Sequence, residues 1–217
     1  EQIPDGAVLM IGGFMGVGSP ERLIDALVHR GAKDLTIIAN DTAMPGKGIG
    51  KLVTAGAVSR LITSHIGLNP ETQALMIAGR IDVELVPQGN LAERIRAAGA
   101  GIGAFFTPTG YGTELAAGKE TRVIDGRPHV LELPIRGDLA LIKAERGDRW
   151  GNLTYRKAAR NFGPVMAMAA RKTVASVYEI AELGQLDPEA VVTPGIFVSH
   201  IVQVPRTATQ AGGFKAA

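Results

Sequence analysis

The sequence contains no cysteine and few aromatic residues. Zero cysteines in 217 residues exclude disulfide bonds, thiolate catalysis and cysteine-ligated zinc sites. Phe, Trp and Tyr make up 5% of the chain, whereas glycine occurs 28 times. Because glycine adopts backbone angles that other residues avoid and lets a backbone approach a ligand closely, this balance predicts many tight turns and a close backbone–ligand contact.

The chain also has little net charge and no long apolar run. The formal charge is +2 and the 23 Lys and Arg are spread along the sequence, so no nucleic-acid surface is expected. No apolar run approaches the ~20 residues that cross a bilayer, and no signal peptide is visible. Histidine has no Asp or Glu at ligand spacing, so no metal site is expected. These features predict a cytoplasmic protein without a membrane partner.

The length suits a single α/β domain. We predict one domain over residues 1–204 and a flexible tail over 205–217, because the tail is small and polar. Since the chain begins at Glu1 rather than at methionine, we expect further native residues before it.

Buried strands and amphipathic helices alternate from residue 7 onward. Residues 7–11 form a continuous apolar run typical of a buried strand, and they lead into the glycine-rich residues 12–18. The pair Ser19-Pro20 predicts the N-cap and first residue of a helix that ends at Gly31. A second buried strand over 35–39 then completes a β-α-β unit.

The alternation continues along the chain, with one change of pattern. The further predicted strands are 58–64, 82–86, 138–144 and 173–178. The further predicted helices are 48–56, 70–79, 91–98 and 164–170, of which the third is capped by Asn90. Residues 121–133 predict a hairpin that turns at Asp125-Gly126. This order predicts an α/β fold with a mostly parallel sheet flanked by helices.

Polar residues follow the predicted strands at the edge where open parallel sheets bind ligands. Asn40 follows the second strand and Gln88 follows the fourth. Their neutral amides can donate to a carbonyl or carboxylate oxygen without imposing a net charge. For Asn40, turn capping and ligand contact are equal alternatives, whereas the position of Gln88 between Pro87 and Gly89 favours function. Residues 12–18 do not match the dinucleotide fingerprint, and the glycines alone do not assign a ligand, although Asp41 after the second strand keeps nucleotide binding open as an alternative.

A longer motif points to one family. The run DGAVLMIGGFMGVGSP over residues 5–20 resembles the signature of the first subunit of family I coenzyme A (CoA) transferases. The resemblance extends through residues 87–96, 107–112, 148–156 and 159–162. The chain is similar to the α subunits of 3-oxoadipate and acetate/acetoacetate CoA transferases, and to the N-terminal half of the fused succinyl-CoA:3-oxoacid enzymes.

The resemblance implies a fold and a set of site residues. The fold is the one shared by CoA transferases and ribose-5-phosphate isomerase. Asn40 falls at the acid-binding site of the family, and Gln88 matches a glutamine in the pocket of the reacting carbonyl, where it would stabilise an oxyanion. Asp41 stands where the fused enzymes have a second asparagine. The residues implied to bind CoA are Gly12, Gly13, Phe14, Met15, Gly16, Val17 and Gly18.

The resemblance also implies a reaction and a partner. The chain would be the α subunit of a heterodimer or heterotetramer, and the nucleophilic glutamate would belong to the β subunit. CoA would be a substrate and part of a covalent intermediate, with no permanently bound cofactor. The donor would be succinyl-CoA or acetyl-CoA, and the acceptor a 3-oxo acid such as 3-oxoadipate or acetoacetate. Two alternatives remain open, a sugar-phosphate isomerase or deaminase on the same fold and a non-catalytic CoA-binding module.

Overall fold

The computed structural model describes residues 3–206, so residues 207–217 of the predicted tail lie outside the described residues. The strands of this range are β1 (Val8–Ile11), β2 (Leu35–Asp41), β3 (Val58–His65), β4 (Asp82–Leu85), β5 (Phe105–Thr107), β6 (Thr121–Ile124), β7 (Arg127–Glu132), β8 (Gly137–Lys143), β9 (Arg146–Asp148), β10 (Leu153–Thr154), β11 (Ala170–Val177), β12 (Glu179–Ala181) and β13 (His200–Gln203). The α-helices are α1 (Glu21–Arg30), α2 (Gly50–Thr54), α3 (Pro70–Ile77), α4 (Gln88–Ala100) and α5 (Gly163–Ala169). None of these helices is long and apolar enough to cross a membrane.

A seven-stranded sheet forms the centre of the molecule, in the order β13-β11-β8-β1-β2-β3-β4. Every neighbouring pair in it is parallel, which confirms the predicted α/β class. Two three-stranded sheets lie beside it, in the orders β10-β9-β12 and β5-β7-β6. The predicted hairpin is confirmed as β6 and β7, which pair antiparallel.

Side-chain alternation along β1 separates two hydrophobic cores. Leu9 and Ile11 join one core, which also contains Ile24 of α1 and Leu52 of α2. Met10 points to the opposite face, whose core contains residues of α4 and α5. The side chains of Leu9, Met10 and Ile11 are completely buried. A strand covered on both faces has no polar position, and this explains the continuous apolar run in the sequence.

The first residues of α3 follow the usual rules of N-capping, whereas those of α1 do not. Asn69 caps α3, since its side chain accepts a hydrogen bond from a main-chain N–H of the first turn, and Pro70 follows it. The predicted cap at Ser19 is wrong, because α1 begins at Glu21 without a side-chain cap. Ser19 instead packs against the preceding loop, where a Cβ on Gly13 would lie 2.3 Å from its Oγ.

The start of α4 also differs from the prediction. The helix begins at Gln88, with Pro87 in the capping position, so Asn90 lies inside the first turn and is not the cap. The buried Asn90 amide donates to Glu132 Oε1 at 3.2 Å and to Thr109 O at 3.3 Å. It therefore joins α4 to β7 and to the loop that follows β5.

A buried carboxylate, Glu132, adds further contacts between α4 and the small antiparallel sheet. Glu132 is 3% exposed and accepts a hydrogen bond from Lys119 Nζ at 2.8 Å. Arg94 of α4 lies on its other side, with Nε 3.6 Å from Glu132 Oε2. Because the burial of an unpaired charge is costly, these partners fix the small antiparallel sheet against the helix that carries Gln88.

Candidate active site at the carboxyl ends of the strands

Three loops that follow strands of the parallel sheet meet at one edge. They are the glycine loop (residues 12–18) after β1, the end of β2 at Asn40 and Asp41, and the start of α4 after β4. Gln88 Nε2 donates to Asn40 Oδ1 at 2.6 Å, and the N–H of Met15 donates to Asp41 Oδ2 at 2.8 Å. Residues that are distant in sequence are therefore connected directly, as the strand-end rule predicts.

A short chain of hydrogen bonds orients the amides. Asn40 Nδ2 donates to Asp41 Oδ2 at 2.8 Å, so the amide oxygen of Asn40 is turned toward Gln88. Ser64 Oγ donates to the same oxygen at 3.1 Å. Asn40 and Asp41 are buried, at 2% and 6% exposure, whereas Gln88 is exposed. The Gln88 amide has a second N–H, which has no acceptor within residues 3–206.

The position of Asn40 bears on the two roles considered for it. Its main-chain oxygen accepts from Thr63 Oγ1 at 2.9 Å and from Ser64 Oγ at 2.8 Å. Its side chain lies between Asp41 and Gln88. In this arrangement the Asn40 side chain holds the Gln88 amide in place, and its direct contact with an acid substrate stays a prediction.

The glycine loop forms a tight hairpin. Phe14 and Val17 exchange both backbone hydrogen bonds, at 3.0 and 2.8 Å. The two residues between them have positive φ angles, 50° at Met15 and 83° at Gly16, which is the geometry of a type I′ turn. The side chains of Phe14, Met15 and Val17 are 40%, 52% and 51% exposed, so the turn presents apolar groups to solvent.

The main-chain donors of this loop are mostly used within the protein. The N–H of Gly13 donates to Asn161 Oδ1 at 3.2 Å, Phe14 and Val17 bind each other, and Met15 binds Asp41. The glycines at the loop ends instead permit close packing. At Gly18, for example, a Cβ would lie 2.6 Å from the Ala159 carbonyl oxygen. A ligand at this loop would therefore meet exposed side chains rather than a row of free N–H groups.

Two features of the site were not found by sequence reasoning. Asp41 was considered as the acidic residue of a nucleotide site and as a departure from the fused enzymes, yet its role in linking the glycine loop to Asn40 was not predicted. Asn161 was noted only as part of a matching stretch, yet it bonds to Gly13 and to the Val17 carbonyl oxygen. The sequence signal available for both was a short polar side chain beside a matched motif. Within residues 3–206 no group of three or more His, Asp or Glu is arranged to hold a metal ion.

Comparison with known proteins identifies the family of the chain. A family profile described as Coenzyme A transferase matches residues 1–204. The chain is 56% identical over 213 residues to the A subunit of 3-oxoadipate CoA-transferase from Pseudomonas putida, covering 97% of this chain and 92% of that protein. It is 54% identical over 198 residues to the alpha subunit of acetate CoA-transferase from Escherichia coli K12, covering 91% and 90%.

A solved structure extends the comparison to three dimensions. The acyl-CoA transferase of Escherichia coli O157:H7, in a thioester complex with CoA, superposes with a TM-score of 0.86 at 24% identity. The match covers 97% of this chain and 49% of that one, so this chain spans about half of the larger protein. At this identity the match establishes a common fold. Taken with the profile that matches residues 1–204 and the relatives above 50% identity, it shows that the chain belongs to the Coenzyme A transferase family.

Proposed function

We propose that this chain is the A-type subunit of a heteromeric CoA transferase, which moves CoA from an acyl-CoA to a 3-oxo acid. The observation that carries the proposal is the exposed Gln88 amide, held at the strand-end edge by the buried Asn40. Two relatives, named as the A or alpha subunits of their enzymes, act by their names on 3-oxoadipate and on acetate. Succinyl-CoA or acetyl-CoA is the proposed donor, and 3-oxoadipate or acetoacetate the proposed acceptor.

The nucleophile of the proposed reaction is a glutamate of the second subunit. Its carboxylate attacks the thioester carbonyl and expels CoA thiolate, leaving an acyl-glutamyl anhydride. The thiolate then attacks the glutamyl carbonyl, which releases the first acid and forms a glutamyl-CoA thioester. The second acid attacks that thioester and repeats the two steps in reverse order, so that the glutamate is regenerated. No oxidant or reductant is consumed.

Gln88 is the proposed contribution of this chain to the chemistry. Each step passes through a tetrahedral intermediate whose oxygen carries a negative charge. A neutral donor fixed in advance stabilises that charge without reorganising during the reaction. Asn40 supplies the fixation, since it binds one N–H of the Gln88 amide and leaves the other for the oxyanion.

The two other functions make different demands on the chain. A sugar-phosphate isomerase or deaminase needs an internal acid and base beside a phosphate-binding loop. In the glycine loop the N–H groups of Gly13 and Met15 are already bound to Asn161 and Asp41, which does not favour a phosphate there. A CoA-binding module without activity needs no second subunit.

Reconstitution tests the proposal. We expect this chain, purified alone, to exchange no CoA, and activity to appear when the second subunit is added. A spectrophotometric screen of 3-oxo acids against succinyl-CoA and acetyl-CoA then identifies the pair of acids. Turnover by this chain alone, or a heteromer inactive with every pair, would contradict the proposal.

A further inference from the structure

A buried carboxylate is bonded directly to the amide pair of the candidate site. Asp41, the last residue of β2, is 6% exposed. Its Oδ2 accepts hydrogen bonds from Asn40 Nδ2 and from the N–H of Met15, both at 2.8 Å. Its Oδ1 accepts from the N–H of Ala43 at 2.7 Å. Both oxygens act as acceptors in every one of these contacts, which is the pattern of an ionised carboxylate.

Neutral groups, and no cation, hold this carboxylate. All three donors are uncharged N–H groups, and Asp41 forms no ion pair in the described part of the chain, residues 3–206. Lys51 of α2 is paired instead with Glu21 and Asp25, at 2.6 and 2.7 Å. The negative charge of Asp41 is therefore kept in a buried position by hydrogen bonds, and no described side chain forms an ion pair that would balance it.

The histidine on the neighbouring strand does not neutralise Asp41 either. His65 is the parallel partner of Asp41 on β3, and it is exposed. A Cβ on Gly67 would lie 2.7 Å from its Cε1 and 2.9 Å from its Nε2, so the imidazole packs against the main chain at Gly67. The two side chains form no ion pair with each other in this arrangement.

The loops that follow β2 and β3 add apolar side chains to the same edge. Met44 is 44% exposed and Leu68 is 39% exposed. Asn69 ties the two loops together, since its Nδ2 donates to Thr42 O at 3.2 Å. The edge around Asp41 therefore combines one fixed negative charge with apolar groups.

The charge of Asp41 lies close to the proposed position of the reacting acid. Asp41 is linked to Gln88 through the Asn40 amide, by hydrogen bonds of 2.8 and 2.6 Å, so its Oδ2 is at most about 8 Å from Gln88 Nε2. Two like charges at this separation in a partly buried site repel enough to change an equilibrium by about 10-fold or more. The reacting carboxylate is common to all substrates, so the repulsion distinguishes acids by any further negative charge.

We propose that Asp41 restricts this site to monocarboxylic acids, whose remaining chain carries no charge. The inference rests on the proposed function, which places the reacting acid at Gln88. Both acids occupy this site in turn, so the restriction applies to donor and acceptor alike. It selects acetyl-CoA and acetoacetate over succinyl-CoA and 3-oxoadipate, which carry an additional carboxylate.

Two acids of the same size test the effect of charge. Succinamate is the half-amide of succinate, so it has nearly the same shape and one negative charge fewer. In the reconstituted heteromer with acetyl-CoA as donor, we expect kcat/KM for succinamate to exceed that for succinate by about 10-fold or more. Equal values, or a preference for succinate, would overturn the inference, whereas the transfer of CoA would still support the proposed function.

Two variants test whether the preference comes from Asp41. Asp41→Asn removes the charge and keeps one acceptor oxygen. His65→Arg places a permanent cation on the neighbouring strand and leaves the hydrogen bonds of Asp41 in place. Each should lower the succinamate-to-succinate ratio by about fivefold or more, whereas structural damage alone would lower both values of kcat/KM equally. If Asp41→Asn fails to assemble, His65→Arg decides, and an unchanged ratio overturns the inference.

Asp148→Asn is a matched control. Asp148 is 5% exposed, and it also accepts three hydrogen bonds from neutral N–H groups, which belong to Trp150 and Asn152. It lies on β9 beside β13, at the other end of the main sheet from β4, so the ratio should stay at the wild-type value. An equal fall in the ratio here would overturn the assignment to Asp41. A heteromer that is inactive with these acids and with acetoacetate would overturn the proposed function as well.

Discussion

Replacing Gln88 with alanine is the most direct perturbation of the candidate chemistry. In the resting structure one N–H of its amide is donated to Asn40 Oδ1 at 2.6 Å. The alanine variant removes this bond and the second N–H together. Asn40 Oδ1 is not left unpaired, because the single hydroxyl hydrogen of Ser64 can turn to it across 3.1 Å while Thr63 Oγ1 still donates to the Asn40 main-chain oxygen. The cost in folding free energy should therefore stay near the ~1 kcal/mol of an ordinary hydrogen bond.

The expected effect on the reaction is larger. A fixed donor to an oxyanion contributes about 3–4 kcal/mol to transition-state stabilisation, so kcat should fall by about 100-fold or more. The KM should change much less, because the oxyanion exists only in the transition state. Gln88→Glu should be as damaging or worse, since a carboxylate repels both the developing charge and the incoming acid, and it cannot donate to Asn40.

Steady-state kinetics of the heteromer, with thermal melting as a check on folding, measures this effect. Gln203→Ala is a matched control, because Gln203 is an exposed glutamine whose Nε2 donates to Tyr178 O at 3.3 Å. Asn40→Ala should also lower kcat, and it should add little in the Gln88→Ala background, because both act through one donor. A rise in KM with kcat intact would refute the reasoning and move Gln88 to ground-state binding.

Three further perturbations test other parts of the structure. Gly16→Val places a β-branched side chain at a φ of 83°, so the protein should fold with a loss of about 1–2 kcal/mol and use acyl-CoA poorly; an unchanged KM would make the loop purely structural. Glu132→Ala removes the buried acceptor of Asn90 and Lys119, whereas Arg94 keeps its ion pair with Glu84 at 2.9 Å, so the change should cost about 1–3 kcal/mol in urea unfolding, and an unchanged stability would contradict this. Burial raises the pKa of Tyr155 to about 12, so the folded state favours the neutral phenol. Stability should then fall by about 2 kcal/mol as the pH rises from 10 to 12, and Tyr155→Phe should abolish that fall in unfolding measured across this range.

The sequence predicts the parallel part of the fold well, for a physical reason. β1 and β2 are covered on both faces, so β1 appears as a continuous apolar run, and β2 as an apolar run interrupted only by Thr36 before its polar end at Asn40 and Asp41. The short strands β5, β12 and β13 were not predicted. Their residues are largely half-buried or exposed, and three or four such residues carry no clear periodicity. Their pairing partners lie far along the chain, where local patterns hold no information.

The candidate site was predicted in part. The strand-end rule placed Asn40 and Gln88 at one edge, and the structure connects them across 48 residues. The rule specifies an edge, and it does not specify which side chains touch there. The contact between Gly13 and Asn161 spans 148 residues, so it depends on the docking of the segment before α5 against β1.

The two helix caps that were predicted wrongly, Ser19 and Asn90, both lie near the candidate site. Ser19 and Asn90 are residue types that normally cap helices, yet Ser19 packs beside Gly13 and Asn90 binds Thr109 and Glu132. Neither side chain caps its helix, and each instead contacts residues that are distant from it along the chain or in the preceding loop, close to the candidate site. Sequences usually satisfy local rules, and departures concentrate where function imposes another demand. Asn69, which caps α3 as expected, also donates to Thr42 O, so a polar residue serves both purposes when the geometry allows it.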